Sequence, residues 1–269
     1  MVRLLTGAIL AGLLLWLGFD WPNVFVLVAG LVLFFWLILK RASSWSEALV
    51  LGSITGTVFA LGFLAWHWAV LPLDWAGVSN NFFDAVLVFY VWFLPAFLIG
   101  VSIGVWAMIS YRLKDKEYWL MVVAPLFWPI LEFARSIGFS MLWFGEGGII
   151  GPTWTLGFLG YALAAFPPIL WWASLGGVYL LGVILVLGSL LIYLRRPVLL
   201  LIFGLIILAP ARYQIQSMPK IVKSLPVAVV TTHFPSFSRV MPEELKDLRE
   251  RKIKLINEVD ALEPVLAVA

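Results

Sequence analysis

The sequence predicts a polytopic α-helical membrane domain of about seven spans, followed by the beginning of an α/β domain. Of its 269 residues, 63% are hydrophobic and 12% charged, whereas roughly a quarter of the residues in an ordinary soluble domain are charged. The 15 Trp and 20 Phe suit a chain with many bilayer interfaces, where amphipathic aromatic rings settle. Near the C-terminal end, the strand-like stretch LPVAVVTTHFP at 225–235 indicates that a different kind of fold begins.

Seven segments approach the roughly 20 apolar residues that a membrane-spanning helix needs: 4–19, 24–39, 48–70, 83–111, 118–137, 168–194 and 197–211. The sequence DWPN between the first two predicts a turn and thus a helical hairpin. The seventh segment has only 15 residues, about 22 Å of helix, and crosses if Arg196 and Arg212 snorkel. If it does not cross, the C-terminal part is cytoplasmic instead.

Loop charges predict the orientation. One side carries most of the basic residues near the spans, which marks it as cytoplasmic: Arg3, Lys40, Arg41, Arg112, Lys114, Lys116, Arg195 and Arg196. The other side carries Asp20, Asp74 and, at a helix end, Arg135. We therefore expect a cytoplasmic N-terminus, and seven spans would deliver the C-terminal part to the outside of the membrane.

Residues 147–194 form a stretch of 48 residues without a charge. This stretch is too long for one membrane-spanning helix and short for two helices with a connecting loop. Its first half is rich in Gly, Pro and aromatic residues. This composition predicts an interfacial or re-entrant segment that is buried against protein and shapes a cavity.

The C-terminal part reads as strand, helix and strand. Residues 227–230 are a continuous apolar run, typical of a buried strand. Pro242 with two following acids predicts a helix start, and VLAVA at 265–269 predicts a second strand. We therefore expect a transmembrane domain at 1–212, a linker at 213–224 and a β-α-β fragment at 225–269. A lone β-α-β unit cannot bury both faces of its strands, so the chain is expected to stop in mid-domain.

Trp66, His67 and Trp68 lie where the third span meets the outer surface. They predict either an aromatic belt with a partly solvated histidine or a loop that guards the entry of lipid or peptide to a site. Glu132 and Arg135 share one helix face at a spacing of three, so the two can pair within the membrane. Ionisable residues at such positions are functional candidates, and a structural clamp is an equal alternative.

Two further residues are weaker candidates. Glu146 stands among glycines at the outer surface, where it would hold an amine or a lipid headgroup or simply be solvated. His233 follows the predicted strand, a position that often lines an active site in α/β folds. Ser236 and Ser238 follow it without any catalytic arrangement. The chain has no cysteine, and no motif predicts a metal site, a cofactor or a nucleic-acid partner.

Several stretches, taken in order, resemble the apolipoprotein N-acyltransferase family: LAWHWAVLPLDW, PLFWPILEFARSIGF, MLWFGEGGIIGPTWTLGFLGYALAAFPP, GGVYLLG and PVAVVTTHFP. The spacing of Trp128, Glu132 and Arg135 is the sharpest of these features. The resemblance implies a membrane domain of eight spans with a nitrilase-like α-β-β-α sandwich on the periplasmic side, so that 225–269 would begin that sandwich.

The resemblance also implies a reaction at the bacterial inner membrane. A cysteine would take an acyl chain from a phospholipid as a thioester and pass it to the N-terminal amine of a diacylglyceryl-cysteine lipoprotein, with a glutamate as general base and a lysine at the oxyanion. None of these three residues has a counterpart here, and Glu263 precedes the second predicted strand instead of following it. We therefore assign no catalytic residue and expect the 269-residue chain to be inactive.

Two alternatives stay open at this point. The first is a non-enzymatic polytopic anchor or assembly protein that docks a partner through its short extracytoplasmic tail. A related membrane-bound nitrilase-like amidase would share the same scaffold. A tail that resists protease in detergent would favour the anchor, because half a sheet exposes apolar surface.

Overall fold

The computed structural model describes residues 2–73, 81–142, 150–152 and 154–216, together with Glu250 and Lys254. The chain divides into two compact units. One consists of Met1–His67 with Tyr90–Ser217, and the other of Trp68–Phe89 with Met218–Ala269. The described part is helical and contains no β-strand. The predicted strands at 227–230 and 265–269 lie outside the described residues.

Eight α-helices follow one another in the described chain: α1 (Val2–Asp20), α2 (Val24–Phe35), α3 (Trp45–Phe63), α4 (Asn81–Arg112), α5 (Glu117–Leu142), α6 (Pro167–Leu170), α7 (Ala173–Tyr193) and α8 (Pro197–Gln216). A π-helix, Trp36–Arg41, continues α2, and two 3₁₀ helices cover Ala65–Val70 and Leu159–Ala165.

Six helical segments of the described chain are long and apolar enough to cross a membrane: Val2–Asp20, Val24–Arg41, Trp45–Val70, Phe82–Arg112, Glu117–Met141 and Ala173–Tyr193. They coincide with the first six predicted spans. The sixth begins later than predicted, because α6 and a turn occupy residues 167–172. The predicted seventh span forms α8, whose apolar part, Pro197–Pro210, is shorter than the other six. Whether α8 crosses the membrane therefore stays a prediction.

Side-chain caps mark the starts of helices α2 and α3. The predicted turn between α1 and α2 is present, and the Asn23 side chain caps α2 by accepting from the backbone N–H groups of Phe25 and Val26 at 3.1 and 3.2 Å. The Ser44 hydroxyl accepts from the Glu47 N–H at 3.1 Å and caps α3. Such caps satisfy N–H groups that have no partner inside the helix.

The core of the larger unit is built around Trp106 of α4, which is fully buried. Its ring stacks on Phe34 at 5.7 Å between centroids and meets Trp128 edge-on at 5.1 Å. Its indole N–H donates to the Ala124 carbonyl at 2.7 Å, so the one polar atom of this side chain is satisfied. Trp106 thereby joins α2, α4 and α5.

Helices α3 and α4 meet through small residues, and we call this contact the α3–α4 seam: Gly52 and Gly56 of α3 with Gly100 and Gly104 of α4. A Cβ added at Gly56 would lie 2.9 Å from the Gly100 Cα, and one at Gly104 would lie 2.6 Å from the Leu49 carbonyl oxygen. The two backbones are therefore in direct contact. Small residues four apart allow this close approach between membrane helices.

At the end of the bundle where α5 begins, Arg196 makes two hydrogen bonds of 2.7 Å to the two carboxylate oxygens of Glu117. These bonds raise the pKa of the Arg196 guanidinium above its ordinary value. Nearby along the chain, the Lys114 ammonium donates to the Tyr111 hydroxyl at 2.9 Å, and this bond raises the pKa of Lys114.

In the smaller unit, the described residues are 68–73, 81–89, Glu250 and Lys254. The Asp84 side chain is buried and accepts from the Leu73 backbone N–H at 3.1 Å. Glu250 and Lys254 are helical, within the helix that the sequence predicts after Pro242.

Candidate functional site

The two charged residues in the second half of α5 mark the strongest candidate site. Glu132 is 2% exposed, and Arg135 is half-buried one turn further along the helix. Because unpaired polar groups are expensive in a membrane interior, the partners of these two side chains decide what the site does.

The Glu132 carboxylate uses one of its two oxygens twice. Oε1 accepts from the Trp128 indole N–H at 2.9 Å and from the Leu159 backbone N–H at 2.9 Å. Oε2 is buried and has no hydrogen-bond partner in the described structure. It faces α7, where a Cβ added at Gly182 would lie 3.5 Å from it. Glu132 therefore connects α5 to the start of the Leu159–Ala165 3₁₀ helix.

Arg135 reaches the same segment from the next turn of α5. Its Nη2 donates to the Leu156 carbonyl at 3.1 Å, and its guanidinium lies over the Phe158 ring, 5.1 Å from the centroid. The Nε atom is buried without a partner in the described structure. A cation over an aromatic face is favourable when it is shielded from water.

The sequence suggested that Glu132 and Arg135 pair with each other, and this expectation needs correction. In the described part of the chain, the ion pair within 4.0 Å is that of Arg196 and Glu117. Glu132 and Arg135 each turn instead to the backbone of the segment that follows α5. The physical reason is that the backbone N–H of Leu159 and the carbonyl of Leu156 need partners where the chain leaves regular helix.

A third polar residue of α5 acts on the same stretch of chain. The Gly151 backbone N–H donates to the Ser140 hydroxyl oxygen at 3.0 Å. Glu132, Arg135 and Ser140 thus bind backbone groups of Leu159, Leu156 and Gly151, and we call these three residues the α5 clamp. The Leu159–Ala165 helix is largely buried, with Leu159, Gly160, Ala162 and Leu163 inside. This agrees with the prediction of an irregular segment that is buried against protein.

Aromatic rings close the site on the α7 side. The Tyr179 ring lies 5.4 Å from Phe158 and 6.3 Å from Phe133, measured between centroids. Tyr179 follows a break in α7 at Gly176 and Gly177, where Gly177 has φ of 61°. Only glycine adopts this conformation readily, so the break helps to set the direction in which α7 leaves the site.

A cavity of about 360 Å³ lies between α4 and α5 and reaches Arg135. Its walls are apolar side chains, including Leu98, Leu131 and Phe139, with Ser102 as the other polar residue. A smaller recess next to it is lined by Trp106, Trp128 and Glu132, and also by Arg135. The larger cavity has the volume of a small-molecule site, roughly 300 to 1,000 Å³. Its lining suits an apolar chain that lies beside one cation.

The aromatic candidates of the third span lie in the Ala65–Val70 helix. Trp66 is 53% exposed and Trp68 is 37% exposed. His67, expected to be partly solvated, is buried: its Nδ1–H donates to the Leu64 carbonyl at 2.8 Å, and its ring stacks on Trp66 at 3.9 Å. The carbonyl partner and the ring contact replace solvent around the imidazole.

Glu146 and His233, the other two candidates, lie outside the described residues. Within the described ranges, no group of three His, Asp or Glu side chains is arranged to hold a metal ion. Sequence reasoning missed the hydrogen-bonding role of Trp128, although its spacing of four from Glu132 was available as a signal for a contact on one helix face. The backbone partners at Leu156 and Leu159 gave no signal in the sequence.

Comparison with known proteins gives one family. The model of the apolipoprotein N-acyltransferase N-terminal domain matches residues 11–191, which is more than half of the chain and includes the α5 clamp. A search of curated proteins found no match. With its bundle of membrane-length helices and this match, the chain belongs to the apolipoprotein N-acyltransferase family.

Proposed function

We propose that this chain is the membrane-embedded N-terminal part of a lipoprotein N-acyltransferase. The observation that carries the proposal is the family match over residues 11–191. The reaction would move an acyl chain from a phospholipid, through a cysteine thioester, to the N-terminal amine of a diacylglyceryl-cysteine lipoprotein. The partners are therefore the bilayer, a phospholipid donor and a lipoprotein acceptor.

The chemistry of this reaction needs groups that the 269 residues do not supply. The sequence contains no cysteine, and the thioester route requires a thiolate nucleophile. We therefore propose that this polypeptide by itself has no acyltransferase activity. Its part in the reaction is to bind lipid and to support a domain that carries the catalytic groups.

The activity test uses the purified chain from a host that lacks its own acyltransferase. The chain is incubated with phospholipid and a synthetic diacylglyceryl-cysteine peptide, and the peptide is analysed by mass spectrometry. We expect no gain of an acyl mass. An acylated peptide would overturn the proposal of inactivity.

The coding DNA beyond the codon for Ala269 tests the larger proposal. We propose that 213–224 is a linker and that 225–269 begins a nitrilase-like sandwich. A reading frame that continues through a glutamate, a lysine, a cysteine and a further span of about 20 apolar residues would support this. A stop codon directly after Ala269 would contradict the acyltransferase function for this protein.

The cavity beside Arg135 is our candidate for part of the acyl-chain site. Gly138 lines the cavity, and a Cβ added there meets nothing within 4 Å, so Gly138→Leu directs a side chain into the space from an uncrowded position. Gly204 of α8 has the same open surroundings, which makes Gly204→Leu the matched control. We expect Gly138→Leu to reduce labelling of the chain by a photoactivatable phospholipid, and Gly204→Leu to leave it unchanged. Equal labelling of both variants would exclude the cavity as a lipid site.

The proposed location is the bacterial inner membrane with a cytoplasmic N-terminus. Since the chain has no native cysteine, single cysteines report topology directly. Trp21→Cys, at the exposed turn after α1, should react in intact spheroplasts with a maleimide that does not cross membranes. Asp115→Cys, in the exposed loop after α4, should react only after lysis. The reverse pattern would invert the topology.

A further inference from the structure

A cavity lined by three cations lies at the end of the bundle where α1 begins. Its volume is about 550 Å³, and its walls are Val2, Arg3 and Leu4 of α1 together with Lys40 and Arg41 of the π-helix. This cavity lies far along the sequence from the α5 clamp, and neither the family match nor the proposed reaction gives it a role.

The π-helix builds one wall of this cavity. The Ala42 N–H donates to the Leu37 carbonyl at 2.9 Å, five residues back, which widens the last turn. Wide turns of this kind occur frequently at functional sites. The opposite wall is held close, because a Cβ added at Gly7 of α1 would lie 2.8 Å from the Leu37 Cδ2. The cations therefore extend from two helix ends that are packed against each other.

Within the described ranges, the three positive charges have no acidic partner. Among the residues that the structure describes, no acidic side chain forms an ion pair with Arg3, Lys40 or Arg41. The carboxylate of Glu47, the first acid after them in the chain, instead accepts from the N–H and hydroxyl of Ser43 at 2.7 and 2.6 Å. The Arg41 guanidinium lies over the Trp36 ring, 5.1 Å from the ring centroid. This contact holds the guanidinium in place without neutralising its positive charge.

The position of the cavity decides which anion fits it. It lies at the ends of two membrane-length helices, and the ends of helices of that length reach the headgroup region of a bilayer. The outer face of α1 beside it is apolar and exposed, with Ile9, Leu10 and Leu13 available to acyl chains. The start of α1 adds the partial positive charge of a helix N-terminus. Basic pockets between membrane helices bind acidic lipid headgroups in this way.

We propose that this cavity binds the phosphate headgroup of an anionic phospholipid. Helices α3 and α4 run antiparallel, since Gly52 and Gly56 lie against Gly104 and Gly100 respectively. Only three residues separate the π-helix from α3 and four separate α4 from α5, so the ends of α2 and α4 and the starts of α3 and α5 lie on the same side as the cavity. The α5 clamp lies in the second half of α5, towards the opposite side. The bound lipid is thus a structural ligand of one leaflet, separate from the proposed substrate lipids, and it does not depend on the proposed acyltransferase function.

The test measures lipid retention by the full 269-residue chain with native mass spectrometry, after purification in detergent with phosphatidylglycerol and phosphatidylcholine in equal amounts. We expect phosphatidylglycerol to be retained preferentially. The triple variant Arg3→Gln, Lys40→Gln, Arg41→Gln should bind it at least about tenfold more weakly, because each basic residue near the headgroup contributes separately. No preference in the original chain would overturn the proposal.

A control triple variant separates this site from general charge. Lys114→Gln, Lys116→Gln and Arg195→Gln remove the same number of charges from loops on the same predicted side, outside the cavity. This variant should retain phosphatidylglycerol like the original chain. Equal loss in both triple variants would overturn the site. Arg3→Lys with Arg41→Lys keeps the charges and should keep the binding, which guards against a folding defect as the cause of loss.

Inorganic phosphate shares the headgroup chemistry and provides the last comparison. We expect an excess of inorganic phosphate to leave the phosphatidylglycerol adduct in place, because the acyl chains on α1 contribute to binding. Displacement of the lipid by phosphate alone would show that the cavity takes a soluble anion and would overturn the lipid assignment.

Discussion

Two contacts within the same bundle are held together in opposite ways. At the α3–α4 seam, glycines bring two regular helices into backbone contact, and shape alone determines the fit. At the α5 clamp, Glu132, Arg135 and Ser140 hold an irregular segment through hydrogen bonds to its backbone. Regular helices therefore need only space to associate, whereas a chain that leaves helical structure inside a membrane needs side-chain partners for its free backbone groups.

Filling the seam should cause the largest loss of stability. Gly104→Leu places a side chain against the Leu49 carbonyl and the Ser53 side chain, so the helices must separate. We expect the free energy of unfolding in detergent to fall by about 3 kcal/mol. Gly204→Leu, which has open space around it, should change it by less than about 0.5 kcal/mol. Equal effects of the two substitutions would mean that the seam is not tightly packed.

Removing the carboxylate of the clamp should have the next largest effect. Glu132→Ala leaves the N–H donors of Trp128 and Leu159 without their acceptor, and we expect a loss of about 2 kcal/mol, at about 1 kcal/mol for each bond. Glu132→Gln keeps an oxygen that accepts both bonds, so it should retain more than half of that stability. If Gln is as harmful as Ala in thermal unfolding, charge and not hydrogen bonding is what matters at this position.

The arginine of the clamp should contribute less. Arg135→Gln removes the guanidinium from the Phe158 ring and weakens the bond to the Leu156 carbonyl, which predicts a loss of about 1 kcal/mol. Arg135→Lys keeps the charge and a donor and should lose about half as much. Chemical unfolding of both variants checks this order. A reversed order would contradict the role of the guanidinium plane.

The exposed ion pair should matter least. Arg196 and Glu117 have side chains that are 51% and 37% exposed, and water screens such a pair. Arg196→Gln should leave the unfolding midpoint unchanged in detergent at moderate salt. A clear drop would show that this bond joins α5 and α8 more firmly than its exposure indicates.

The sequence predicted the regular parts of the fold well, because length and apolar content are enough to locate membrane helices. The turn at 20–23 and the irregular character of 150–152 and 154–166 were also readable from Pro, Asn and Gly. The contact between Glu132 and Leu159 could not be predicted from the sequence. Leu159 lies 27 residues away and donates through its backbone N–H, a group that nearly every residue type carries. The burial of His67 was missed for the same reason, since its partner is the Leu64 carbonyl.

Hydrogen exchange at 154–166 shows whether the α5 clamp holds this segment in place. In the original chain in detergent, the Leu159 amide should be protected because its N–H is bonded to Glu132. In Glu132→Ala the segment should exchange roughly tenfold faster, as expected for the loss of about 1.4 kcal/mol of local stability, while peptides from the α3–α4 seam stay unchanged. Unchanged exchange at 154–166 in Glu132→Ala would contradict the clamp.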